Sequence, residues 1–220
     1  VDVYPSYSAR VRHLANAVSV TPIKGSTERL ESFGRVIPLL ICGEQSAISV
    51  FGSARGQYTK PALKILSQEF RTIESEEAGH ELLWQTLSHH LPVPSDLLKL
   101  KRRAAIFFAK LGRANSIAEH FAQVSQLVSA VGAIMWSLER SEMATDSTVR
   151  EIATHIKLDE ARHVSVSRRL TFALGVERDR YEALGDLIRQ ELIELLMPIA
   201  DSIEGLGIDS DRMFRKIAKH

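Results

Sequence analysis

Residues 63–87 read LKILSQEFRTIESEEAGHELLWQTL, and Leu63, Leu66, Phe70, Ile73, Glu77, His80, Trp84 and Leu87 recur in alternating steps of three and four. That period is the inward seam of a packed helix, so a carboxylate and an imidazole replace apolar residues in mid-core. The same walk returns at Val149, Ile152, Ile156, Glu160, His163, Ser167 and Leu170. A third stripe, Phe33, Ile37, Leu40, Ile41, Glu44, Ile48 and Phe51, buries one more glutamate. Two Glu-x-x-His motifs and a further glutamate upstream are therefore expected inside one hydrophobic interior. Burying an unpaired carboxylate costs several kcal/mol, and clustered carboxylates repel each other. No lysine or arginine stands on these three seams, so metal cations are the expected compensation.

Two divalent ions balance four carboxylates, and electroneutrality predicts a fourth glutamate on a remaining helix. Glu119 is the expected residue, with Glu139 and Glu142 nearer a polar helix end and His120 a substitute ligand. The predicted ligand set is Glu44, Glu77, His80, Glu119, Glu160 and His163, and its mixture of oxygen and nitrogen suits iron or manganese. On the helix of Glu119 one face carries small or polar residues, among them Ala122, Gln126, Ala130 and Ala133. With Trp84, these are the expected wall of a pocket beside the metals.

The wider chain is compatible with an all-α protein. Its 220 residues are 45% hydrophobic, enough for one domain with a sizeable core, and no segment shows sustained strand alternation. Helices are expected near 5–20, 27–53, 60–90, 103–141, 147–174 and 178–205. Leu91-Pro92-Val93-Pro94-Ser95 ends the second long helix, and a long crossover follows to about Asn115. Asp146 or Ser147 is the expected cap of the next one. A net charge of +1 argues against a strongly basic nucleic-acid surface, although Lys99, Lys101, Arg102, Arg103, Lys110 and Arg113 cluster in the crossover. No membrane-spanning run and no targeting segment is evident, so a cytoplasmic location is expected. One cysteine, Cys42, excludes a disulfide framework.

The order Glu44, Glu77-x-x-His80, Glu119, Glu160-x-x-His163 resembles the ferritin-like di-iron carboxylate proteins, in which two helices give a glutamate and two give Glu-x-x-His. The resemblance spans roughly residues 30 to 175. It implies a four-helix bundle over about 27–175 with a long crossover, an accessory amino-terminal helix and an accessory carboxy-terminal helix at about 178–205. It further implies two iron ions, or manganese at one or both sites, with O2, an organic substrate and an electron donor as partners. Trp84 stands where radical-generating relatives keep a tyrosine. Ile156 stands where the aminoarene N-oxygenases keep a third histidine, with His155 one residue away. The expected function is oxidation of a small or apolar metabolite. Iron binding with ferroxidase activity, or hydroxylation of tRNA, are the alternatives. Leu187, Ile188, Leu192, Leu195 and Leu196 make homodimerisation conceivable, or a helix that caps the bundle.

Overall fold

The computed structural model describes residues 7–54 and 61–219, with side chains described outside 54 and 61–67. Among the described residues every regular element is a helix: α1 (Ala9–Val20), α2 (Thr27–Ala54), α3 (Pro61–Ser88), α4 (Leu97–Leu111), α5 (Ile117–Glu139), α6 (Ser147–Ala173), α7 (Arg178–Leu196), α8 (Ala200–Gly205) and α9 (Ser210–Lys219). The all-α expectation holds. Short polar caps set several starts: the Ser8 hydroxyl accepts from the Val11 amide, Ser116 from Glu119, and Asp146 from Thr148 and Val149. Asp146 also accepts from the Lys24 amide, tying the α1–α2 loop to the start of α6.

Packing builds the site from two helix pairs. α2 lies along α3, α5 lies along α6, and α3 meets α6 across the middle. The three sequence stripes face inward as expected: Phe33, Ile37, Phe51, Phe70, Ile73, Leu87, Val149, Ile152, Ile156 and Leu170 are buried. Leu63 and Leu66 lie outside the described side chains. Phe51, Phe70 and Phe121 form an aromatic block, with ring centroids 5.4 to 6.1 Å apart, and Phe51 reaches within 6.4 Å of the His163 ring.

Several boundaries differ from the sequence reading. The expected helix at 103–141 is two helices, broken at Gly112 to Ser116, because Ser116 caps α5 afresh. The basic crossover is thus mostly α4, and Lys110 and Arg103 are partly engaged by α7: Lys110 lies 3.6 Å from Glu191, and Arg103 donates to the Glu194 carbonyl. The helix expected to run to 205 stops at Leu196, where a 3-10 turn at Met197–Ile199 carries Pro198. Gly207, at φ +76°, then reverses the chain into α9, a helix not among those expected, which buries Met213, Phe214 and Ile217. On α7, Ile188, Leu192, Leu195 and Leu196 are buried within the chain, leaving Leu187 exposed. α7 therefore consumes internally most of the apolar surplus that suggested a second copy.

Contrary to the expectation of no membrane-spanning run, α2 and α5 are long and apolar enough to cross a membrane by length and composition, over Thr27–Ser53 and Ile117–Glu139. α5 has most of its apolar window buried among the other helices, and α2 carries the buried Glu44. Where α2 crosses the loop after α3, a side chain on Gly34 would run into the Pro92 carbonyl oxygen. Backbone cannot yield as a flexible side chain does. Gly34→Ala is therefore expected to lower stability by about 1–3 kcal/mol in urea unfolding, although alanine is the better helix former.

Candidate metal centre

Five of the six predicted ligands come together. Glu44 from α2, Glu77 and His80 from α3, and Glu160 and His163 from α6 are all buried, and both imidazoles are fully excluded from solvent. Glu44, Glu77, His80 and Glu160 offer ligand atoms within 4.8 Å of one another. Glu77 and Glu160 divide their oxygens between the two histidines. Glu77 Oε2 lies 3.6 Å from His80 Nδ1, while its Oε1 lies 2.9 Å from His163 Nδ1. Glu160 Oε1 lies 3.7 Å from His80 Nδ1 and its Oε2 lies 3.8 Å from His163 Nδ1. Glu44 stands on the His80 side alone, at 3.6 Å. Glu77 and Glu160 thus each reach toward both histidines, and Glu44 toward His80 alone.

Each histidine is aimed by the opposite motif. His80 Nε2 lies 3.1 Å from Asp159, the residue before Glu160, and His163 Nε2 lies 2.8 Å from Glu76, the residue before Glu77. An Nε2–H donating outward leaves the Nδ1 lone pair facing the carboxylates, the tautomer a metal requires. Neither Nδ1 has an aligned hydrogen-bond partner among the described residues. Two buried nitrogens unsatisfied at a cluster of oxygens fit a missing cation better than they fit a closed hydrogen-bond network. Glu76 is itself paired with Arg162. His155 stands behind His80, its Nε2 3.6 Å from Asp159, and so belongs to the outer layer. The sequence reading missed Glu76 and Asp159, yet the signal was present: an acid precedes each glutamate and an alanine follows it, in Glu76-Glu77-Ala78 and Asp159-Glu160-Ala161.

Without metal, protons hold the cluster together. Burial first, and then the charge of Glu77, push Glu160 up to about 7 and raise Glu44 well above the usual carboxylate range. Burial also opposes ionisation of Glu77, but contacts from His163 and His80 outweigh it and hold Glu77 low. Burial opposes protonation of His80 too, yet Asp159 and Glu44 outweigh it and raise that imidazole. Trp84 is fully buried and donates from Nε1 to Glu44 at 3.0 Å, so it holds a ligand in place and does not line the cavity as expected.

No known protein family, curated protein or solved structure matches this chain.

Glu119 does not join the cluster. It sits in the first turn of α5, partly exposed, paired with Arg180 at 2.6 Å and accepting from Asn115; the Arg180 guanidinium holds its carboxyl below the usual range. Helix register explains the misplacement. The connection after α5 is short, and Thr154 donates to Glu139 at 2.9 Å, which sets those two residues level. Six residues along α6, at Glu160, the antiparallel α5 is level near Ala133. Glu119 then lies about 20 Å further along the helix. Glu139 pairs with Lys157 and Glu142 with Arg29, while His120 lies near the start of α5. None of them lies in the cluster of Glu44, Glu77, His80 and Glu160.

What α5 presents instead is apolar. A cavity of about 90 Å³ adjoins Glu44, Glu77 and Glu160, and Leu127, Val128, Val131 and Ile134 line it from α5. The small face expected there packs elsewhere. Ala122 meets Tyr181 and Leu184, and Gln126 takes a hydrogen bond from the buried Arg189 at 2.5 Å, both on α7. Ala130 and Ala133 are buried core residues.

Asp159→Ala should leave the fold intact while freeing the His80 ring. Loss of such an outer partner typically weakens metal binding by about 10- to 100-fold. Competition against a fluorescent chelator measures this directly.

Proposed function

We propose that this chain holds two divalent transition-metal ions, iron or manganese, in a ferritin-like arrangement of α2, α3, α5 and α6, and uses them to activate O2 for oxidation of an organic molecule. The observation that carries the reading is the pair of buried, unsatisfied Nδ1 atoms facing carboxylates that split their oxygens between them. His80, Glu44, Glu77 and Glu160 would hold one ion, and His163, Glu77 and Glu160 the other. Such a pair, when bound, would supply two electrons for the reduction of dioxygen. The chain's own residues do the rest. Asp159 and Glu76 fix the histidine rings, Trp84 anchors Glu44, and the block of Phe51, Phe70 and Phe121 keeps the His163 side dry.

The cavity favours oxidation of an organic molecule over iron storage, because storage needs no apolar chamber beside its ions. Anaerobic loading with ferrous iron, followed by elemental analysis and O2 uptake, tests this. The expected result is two irons retained per chain and O2 consumption on exposure to air. Glu119→Ala should behave as the parent, with stability changed by less than about 1 kcal/mol, since it removes an exposed ion pair. Hundreds of irons per assembled particle would indicate storage, and no retained metal would remove the proposal.

A further inference from the structure

We infer that His80, His155 and Asp159 form a second metal site, of zinc type, on the solvent side of the cluster, and that it competes with the buried centre for the His80 imidazole. The outer site stands on its own geometry, and only the competition rests on the two-metal reading.

The two histidine braces differ in a way that bracing does not explain. At Glu76 the carboxylate meets the His163 ring and the Arg162 guanidinium, so a cation already stands beside it. At Asp159 a second imidazole takes that place. His155 precedes Asp159 by one turn of α6, the spacing at which two ligands share a helix face. Its Nε2 lies 3.6 Å from Asp159 Oδ2, too long for a hydrogen bond, and His80 Nε2 lies 3.1 Å from the same oxygen. A tetrahedral zinc with bonds of about 2.0–2.1 Å holds its ligand atoms about 3.3–3.4 Å apart. Both separations lie close to that edge, and the three residues offer ligand atoms within 4.8 Å of one another. The side chains of His155 and Asp159 are 19% and 21% exposed, so water can complete the fourth position from outside. Two imidazoles and one carboxylate favour zinc, whereas the carboxylates on the inner side of His80 favour manganese.

The competition follows from the imidazole itself. A neutral ring has one nitrogen lone pair. The buried centre needs it on Nδ1, with the proton at Nε2 facing Asp159. An outer ion needs it on Nε2, which puts the proton on Nδ1, 3.6 to 3.7 Å from Glu44, Glu77 and Glu160. His80 therefore serves one ion at a time, and zinc outside deprives the neighbouring buried position of its imidazole.

Three rings separate the alternatives, because His155 belongs only to the outer site, His163 only to the buried centre and His80 to both. Zinc is titrated into the metal-free full chain carrying isotope-labelled histidine, and long-range proton–nitrogen spectra read which ring nitrogen holds metal and which holds the proton. The first equivalent should shift Nε2 of His155 and His80 together, move the His80 proton to Nδ1 and leave His163 unchanged. In a second measurement that equivalent should cut manganese retention from two ions per chain to one. His155→Ala should weaken the zinc site by at least about tenfold, keep two manganese ions, and no longer yield one of them to zinc. Zinc that shifts His80 and His163 at Nδ1 while His155 stays unmoved sits in the buried centre, which overturns the inference and upholds the two-metal reading. Zinc on His155 with two manganese ions still retained overturns the competition. Fewer than two manganese ions without zinc defeats the two-metal reading and the competition with it, while shifts at His155 still uphold the outer site.

Discussion

Glu160→Ala is expected to reduce metal retention from the proposed two ions per chain to one or none. Glu160 reaches toward both histidines, 3.7 Å from His80 Nδ1 and 3.8 Å from His163 Nδ1, so its removal strips one oxygen from each coordination position. The position around His163 suffers more. It would keep only Glu77 and His163, whereas the other keeps Glu44 as well. Elemental analysis after gel filtration reads the outcome. Retention of two ions by Glu160→Ala would exclude a bridging role for this residue. Because the metal-free cluster repels itself, the same substitution should raise the stability of the metal-free protein while abolishing the stabilisation that metal provides.

The second large effect is on the pH dependence of the metal-free protein. Glu160, pushed up to about 7, binds a proton in the folded state that the unfolded chain releases above its ordinary value of 4.5. Between about pH 4.5 and 7 the native state therefore holds more protons, and stability falls as pH rises. The contribution of this one group is on the order of 3 kcal/mol across that window. Glu44 and His80, both raised, act in the same direction, each favouring the folded state until pH passes its folded value. Glu77, held low, opposes them: it stabilises above 4.5, and that contribution is lost as pH falls. Denaturant midpoints of metal-free protein should thus decline from about pH 5 to 7. Glu160→Gln should flatten the decline, and saturating metal should reverse it, since ions compete with those protons. A midpoint independent of pH in the metal-free parent would refute this account of the cluster.

The three inward stripes were legible because helical phase is a strong signal, and Glu44, Glu77, His80, Glu160 and His163 all occupy the seam positions their spacing demanded. Glu119 failed for a different reason. Sequence spacing fixes how far apart two residues are along the chain, but not where a connection shortens. The turn at Glu142–Thr145 returns α6 beside the end of α5, which sets Val131 and Ile134 near the level of Glu160 and leaves Glu119 turns away, paired with Arg180. The break before α5 was hidden because a serine cap acts over a few residues, below the length at which period is readable, whereas Met213, Phe214 and Ile217 did carry a helical period for α9.

The crossed pairing of His80 with Asp159 and His163 with Glu76 makes neither Glu-x-x-His motif self-sufficient. Each half of the chain carries the brace for the other half's imidazole, so the α2–α3 hairpin alone and the α5–α6 hairpin alone are both incomplete. An ion in the cluster would therefore join two hairpins that also meet across α3 and α6 and where Phe51 packs on Phe121.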